Sequence, residues 1–254
     1  MHRGVLVMEI QRSSREGRFI DQWWRIGGIL GIVWLVLFIA GAFIIQGDEV
    51  ERSDSIAEIR QYFVDDGDTY LLGDYLIGIA FVFFFLPFLI ILRRVLETGG
   101  TWAALLARIA QFAGVVALIW GGIAGFFWGA LAVGAAGNSE VDDSSIRTLM
   151  ELDAYAFAGL FLPVGLFLGA AGASIWLSRV LWRWLGIIGL IGFLGALIGA
   201  AWPIDGDDEG ALAGIGLIGL LGMMIFVLLV SINLLMQRDR PVVTSDPDVL
   251  VVVN

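Results

Sequence analysis

Cysteine and lysine are absent from this sequence of 254 residues; histidine occurs once, at position 2, and proline five times. Each absence removes a class of chemistry. Without cysteine there is no disulfide framework, thiolate metal site, iron–sulfur cluster or thiol nucleophile. A single histidine near the N-terminus leaves no bis-histidine haem, no histidine-based zinc site and no serine–histidine relay. Charge is also sparse: 16% of residues are charged, and all 15 basic residues are arginine. No cofactor and no catalytic constellation is expected, and the chain does not read as an enzyme.

Apolar sequence takes the place of what is missing. Hydrophobic residues make up 59% of the chain, with 34 glycines, and the mean hydropathy is +0.88. A soluble domain of this length could not cover so much apolar surface, so a bilayer is the expected solvent. The segment from Ser178 to Gly210 states the plan most clearly. Arg179 and Arg183 stand at one end, an uncharged run from Trp184 to Ile204 follows, and Asp205, Asp207, Asp208 and Glu209 close it. Trp184 and Trp202 would lie about 27 Å apart along a helix, close to the thickness of a hydrocarbon core. Tryptophan favours the headgroup level and arginine the cytoplasmic side.

Six such runs are present, at about 26–45, 75–92, 109–136, 154–178, 184–204 and 210–237. The sequence therefore predicts an all-α, polytopic transmembrane bundle of six spans over 26–237. A loose N-terminal tail, 1–25, ends in a short interfacial turn at Phe19–Trp24, and the C-terminal tail is 238–254. The first run is too long for a signal-peptide core and no cleavage pattern follows it, so it is read as a retained span. Of the 25 acidic residues, nine fall in the first proposed outer segment, five in the second and four in the third, with only Arg52, Arg60 and Arg147 among them. The other arginines lie on the opposite side. By the positive-inside rule both termini are cytoplasmic, in a multi-pass protein of the cell (inner or plasma) membrane. At a net charge of −10, the expected partners are the lipid bilayer and a membrane protein or second copy, not nucleic acid.

Glycine dominates the spans. Gly121, Gly125 and Gly129 step by four in the third, Gly165 and Gly169 in the fourth, Gly195 and Gly199 in the fifth. Small residues at this spacing let helix backbones approach, within one bundle or between two copies. In the first outer segment Ser55 and Glu58 have capping-box spacing, and Ile56, Ile59 and Phe63 share a face, which predicts a short amphipathic helix lying on the membrane surface. Pro87 should kink the second span; Pro163 lies inside the fourth.

Three sets of charged residues are candidate sites. Asp205, Asp207 and Glu209 occupy the first positions of a calcium-type loop, but its twelfth position is Gly216, so a solvated turn is the plainer reading and a cation site the sharper one. Arg108 sits near the inner end of the third span, either snorkelling to headgroups or holding a lipid phosphate or a substrate carboxylate. Asp74 and Asp153 open the second and fourth spans, as helix N-caps or as the mouth of a polar path between those spans. No carboxylate lies within any of the six apolar runs. Gln111, Ser174, Ser231 and Asn233 supply the interior hydrogen-bonding groups.

The order of an acidic segment with a short helix before the second span (Ile56 to Leu92), an Arg-Trp-Leu-Gly turn opening the fifth (Arg183 to Gly186) and glycine-rich later spans resembles a set of six-helix, actinobacterial-type integral membrane proteins classed as a domain of unknown function. The resemblance implies an uncharacterised membrane protein and transfers no catalytic residues. Two functional readings follow from the residues. One is a structural, interaction or regulatory component of a membrane assembly; the other is a small transporter or channel-like protein. A lipid-modifying enzyme has the least support.

Overall fold

A computed structural model describes residues 2–45, 54–135, 137, 138, 140–202 and 211–236, and among these every regular element is helical. The helices are α1 (His2–Ile45), α2 (Ile56–Ile79), α3 (Leu86–Glu97), α4 (Thr101–Ala130), α5 (Asp143–Ser178), α6 (Arg183–Gly199) and α7 (Ala211–Met236). A π-helical segment, Ala80–Phe85, joins α2 to α3, and another, Leu131–Ala135, extends α4. The result is six continuous rods. Five hold stretches long and apolar enough to cross a membrane: Gln22–Ile45, Ile56–Glu97, Thr101–Gly134, Asp143–Ser178 and Gly214–Met236. The remaining rod, α6, is apolar and 17 residues long.

Each rod packs mainly against its chain neighbours, and α1 closes the bundle by lying between α2 and α7. Trp34, Phe85, Phe88, Phe167 and Phe226 fill the centre, joined by edge and stacked ring contacts at 5.0–6.1 Å. The periphery is equally apolar: Phe43, Phe83, Phe112 and Phe126 are each at least 65% exposed. A bundle with aromatic residues on both its inner and outer surfaces needs an apolar solvent.

Backbone approach explains how α5, α6 and α7 pack. A Cβ at Gly172 would stand 2.8 Å from the Gly186 carbonyl, and one at Gly186 would stand 2.7 Å from that of Gly172. Gly195 meets Gly219, and Gly199 meets Gly216. Gly165 and Gly169 receive Ala196 and the Phe193 ring. The row on α4 is different. Gly121 has only a Leu160 methyl at 3.9 Å, Gly125 faces Asp74, and Gly129 has nothing within 4 Å of its Cβ position.

Two expectations for the ends of the spans are corrected. The segment 2–25 is helical and continuous with the first apolar run, rather than a loose tail with a separate turn; no proline occurs before Pro87 to stop it. The capping box at Ser55 forms, with the Glu58 N–H donating to the Ser55 hydroxyl oxygen and Glu58 Oε2 accepting from the Ser55 N–H at 2.9 Å. The helix it opens does not end as a surface helix, however. It runs through Gly67 and Gly73 into the span, giving a 42-residue rod, Ile56–Glu97. Ile59 and Phe63 are buried against α4 and α5 instead of facing lipid.

Pro87 falls where its helix changes form. Lacking an N–H and carrying a ring that crowds the carbonyl four residues back, it is accommodated at the first turn of α3, directly after the π-helical turn. Pro163 lies inside an unbroken α5.

Candidate functional site

The rods are longer than a bilayer needs. About 20 helical residues cross a hydrocarbon core, whereas Ile56–Glu97 has 42 residues and Asp143–Ser178 has 36. Their surplus lies at one end of the bundle, the acidic end, where the first half of α2, the π-helical end of α4 and the first turns of α5 build a cap. Ile59, Phe63, Leu131, Ile146 and Met150 form its own small core.

Two arginines fasten this cap reciprocally. Arg60, on α2, reaches the segment before α5: it donates to the Asn138 carbonyl at 3.2 Å, to the Val141 carbonyl, and to Asp143 at 3.0 Å. Arg147, on α5, donates back to the Asp54 carbonyl at 2.9 Å. In the sequence these two arginines are exceptions to the segregation of charge; in the fold they hold the two long segments together. Asp142 caps α5, accepting from the Ser145 N–H at 2.7 Å. That bond, with those from the Ser145 and Ser144 side chains, holds its carboxyl below the ordinary aspartate range.

Beneath the cap lie the two carboxylates that the sequence singled out. Neither is an N-cap, because α2 begins at Ile56 and α5 at Asp143, well before Asp74 and Asp153. Both come to the same stretch of α4. Asp74 lies over Gly125, where a Cβ would stand 2.7 Å from its Oδ1. Asp153 accepts a hydrogen bond from Trp128 Nε1, three residues further along α4 and so on an adjacent part of the same surface. The backbone of α1 sets the approach: Gly41 and Gly73 meet carbonyl to Cβ position at 2.7–2.8 Å, which fixes the rotation of α2 next to Asp74. Gly125 is the small residue that leaves room for the carboxylate.

The surroundings are apolar and aromatic. Trp128 stacks on Tyr70 at 5.4 Å and packs on Phe63 at 5.1 Å, so the ring that holds Asp153 is part of the wall of the cap core. Asp74 and Asp153 are both half-buried. Asp153 has its indole donor. Asp74 has no hydrogen-bond donor and no counter-charge among the described residues. An isolated carboxylate partly withdrawn from water is costly and is relieved by a proton or by a bound cation. Chemically, the arrangement can accept positive charge at Asp74 beside a second, oriented carboxylate.

Trp128 had a sequence signal, being an aromatic residue 20 positions past Arg108 and hence at the far interface, but nothing in the sequence paired it with Asp153. The loop with Asp205, Asp207 and Glu209 lies outside the described residues. Among those described, no group of three acids or histidines is placed to hold a metal ion. Arg108 is ion-paired to Glu97 at 3.0 Å at the opposite end of the bundle. Ser174 donates to the Ala103 carbonyl at 2.9 Å, and Gln111 accepts from Arg93 at 2.8 Å, so these two polar groups tie neighbouring helices together. No family model, curated protein or solved structure matches the chain.

Proposed function

We propose that this chain is a multi-pass protein of the cell membrane with six crossings and both termini in the cytoplasm, and that its acidic end receives a cationic solute or the proton from outside at Asp74 and Asp153. This would be the entry step of a small carrier or channel-like path between α2 and α5. The observation that carries the reading is Asp74, half-buried against Gly125 without a partner among the described residues. Intramembrane and interfacial carboxylates of this kind belong to ion and proton paths more often than to structure. The two π-helical segments, one in the cap at the end of α4 and one following Asp74 between α2 and α3, contribute further support, since such turns occur frequently at functional positions. Cation-dependent thermal stabilisation of the purified protein tests it. Wild type melts higher with the accepted cation and Asp74→Asn does not; equal shifts in both would end the assignment to Asp74.

The six-crossing topology is supported by the distribution of arginine and acid and by the length of α6 with its flanks. The lack of cysteine makes single-cysteine labelling at Asp207 and at Arg238 a direct check: Asp207→Cys should react from outside and Arg238→Cys only from within. Kinship with the six-helix domain-of-unknown-function proteins rests on the features of Ile56–Leu92 and Arg183–Gly186. A second reading, a structural or regulatory component of a membrane assembly, is favoured by α4. Its apolar stretch is the least buried of the five long ones, and Gly122 and Gly129 have open space at their Cβ positions. Under that reading the purified protein is a stable oligomer, or carries a partner, in mild detergent.

A further inference from the structure

The other end of the bundle holds a second polar cluster, unconnected to the acidic-end carboxylates. Glu97 is the last residue of α3. One of its oxygens, Oε1, accepts from Arg93 Nε at 2.9 Å and from Arg108 Nε at 3.0 Å. Arg93 continues through a terminal nitrogen to Gln111 Oε1 at 2.8 Å. Two guanidinium groups, one from α3 and one from α4, are thus anchored on a single carboxylate oxygen, both by the inner nitrogen rather than by the terminal fork. The fork of Arg108 has no acceptor among the described residues, and its side chain is 64% exposed. The three charged groups sum to one positive charge. Arg94, the next residue on α3, has its guanidinium over the Trp23 ring of α1 at 5.9 Å.

A guanidinium held by Nε with its two terminal nitrogens unsatisfied matches the paired oxygens of a phosphate. The immediate neighbours are apolar and uncovered: Trp102 is 73% exposed and Leu105 48%. Soluble phosphate has no use for such flanks, whereas a headgroup brings acyl chains that do. We propose that Arg108, with Arg93 positioned by Glu97 and Gln111, forms a phosphate site for the headgroup of an anionic phospholipid. Glu97 has a paradoxical part in it: the acid lowers the local positive charge, yet it orients both forks. Bulk charge and a built site therefore predict opposite effects for its removal.

The experiment uses the full-length protein in detergent, titrated with short-chain phosphatidylglycerol, short-chain diacylglycerol and inorganic phosphate, with melting temperature and native mass spectrometry as readouts. Wild type should bind phosphatidylglycerol about tenfold tighter than diacylglycerol, which lacks the phosphate, the scale of one charge-assisted bidentate contact. Arg108→Lys, which keeps the charge and loses the fork, should remove most of that preference. Glu97→Ala should weaken it although the cluster becomes more positive. Undiminished preference in Arg108→Lys, or tighter binding in Glu97→Ala, would overturn the built site in favour of bulk charge. Protection by inorganic phosphate with no preference between the two lipids would overturn the lipid assignment. Melting of each ligand-free variant near the wild-type temperature separates loss of binding from loss of fold.

Discussion

Replacing Gly172 and Gly129 by alanine, one at a time, should move stability in opposite directions. In the C-terminal part of α5, a Cβ at Gly172 meets the Gly186 carbonyl oxygen at 2.8 Å and the Gly189 Cα at 3.2 Å. A relaxed carbon–oxygen contact between helices is about 3.3–3.6 Å, so α6 must retreat by about half an ångström or more. A gap of 0.5–1 Å forfeits roughly a quarter to a half of each dispersion contact across the interface, and overpacked substitutions of this type cost about 1–3 kcal/mol. Gly129 has nothing within 4 Å of its Cβ position. There the substitution acts only through helix propensity, a gain of up to about 1 kcal/mol. For a chain of this length, 1 kcal/mol corresponds to about 2–4 °C in melting temperature. Thermal melts followed by tryptophan fluorescence in one detergent should show Gly172→Ala several degrees below wild type and Gly129→Ala at or slightly above it. Equal destabilisation by both would refute the packing argument and place a second surface against α4.

Three further outcomes follow. Arg60→Ala removes its hydrogen bonds to the Asn138 and Val141 carbonyls and to Asp143, which tie α2 to the start of α5; it should speed hydrogen exchange over 141–150 by tenfold or more and leave α6 and α7 unchanged. Trp128→Phe keeps the aromatic packing on Tyr70 and Phe63 but removes the donor to Asp153, at a cost of about 1–3 kcal/mol for a withdrawn polar group left without its partner; a melting temperature equal to that of wild type would show the hydrogen bond to be without consequence. The Asp142 cap, with a carboxyl held below its ordinary value, contributes stability that is present above the unfolded pKa and lost as pH falls through the folded one. Exchange at the start of α5 should therefore quicken only below about pH 4, and Asp142→Asn should flatten that dependence.

The apolar runs could be read as helices because composition and length alone decide them, and the Ser55 cap because both its partners lie within three residues. The cap at the acidic end could not. Ile59 and Phe63 find their neighbours at Leu131, Ile146 and Met150, some 70–90 positions away, and a local amphipathic pattern is the same whether its apolar face meets lipid or protein. The arginines divide in the same way. Those that obey the positive-inside rule are visible by position, while Arg60 and Arg147 become intelligible only when their carbonyl acceptors in the opposite segment are seen. Asp74 and Asp153 stood out as acids at the edges of spans, but their meeting on α4 depends on the rotation of three helices, which the glycines at positions 41, 73 and 125 set through contacts that have no periodic signature. Gly121 and Gly129 on α4 show the converse: members of a strong sequence pattern that the described bundle does not use for close packing.

The proposed path admits positive charge at the acidic end through Asp74 and Asp153. Its most direct test is cation and proton flux into liposomes bearing the purified protein, measured for wild type, Asp74→Asn, Asp153→Asn and, as a control at the opposite end of the bundle, Arg108→Lys. Flux is expected in wild type, retained in Arg108→Lys, and reduced tenfold or more in each aspartate variant. Equal flux in all four, or none above empty liposomes for any cation, would contradict it.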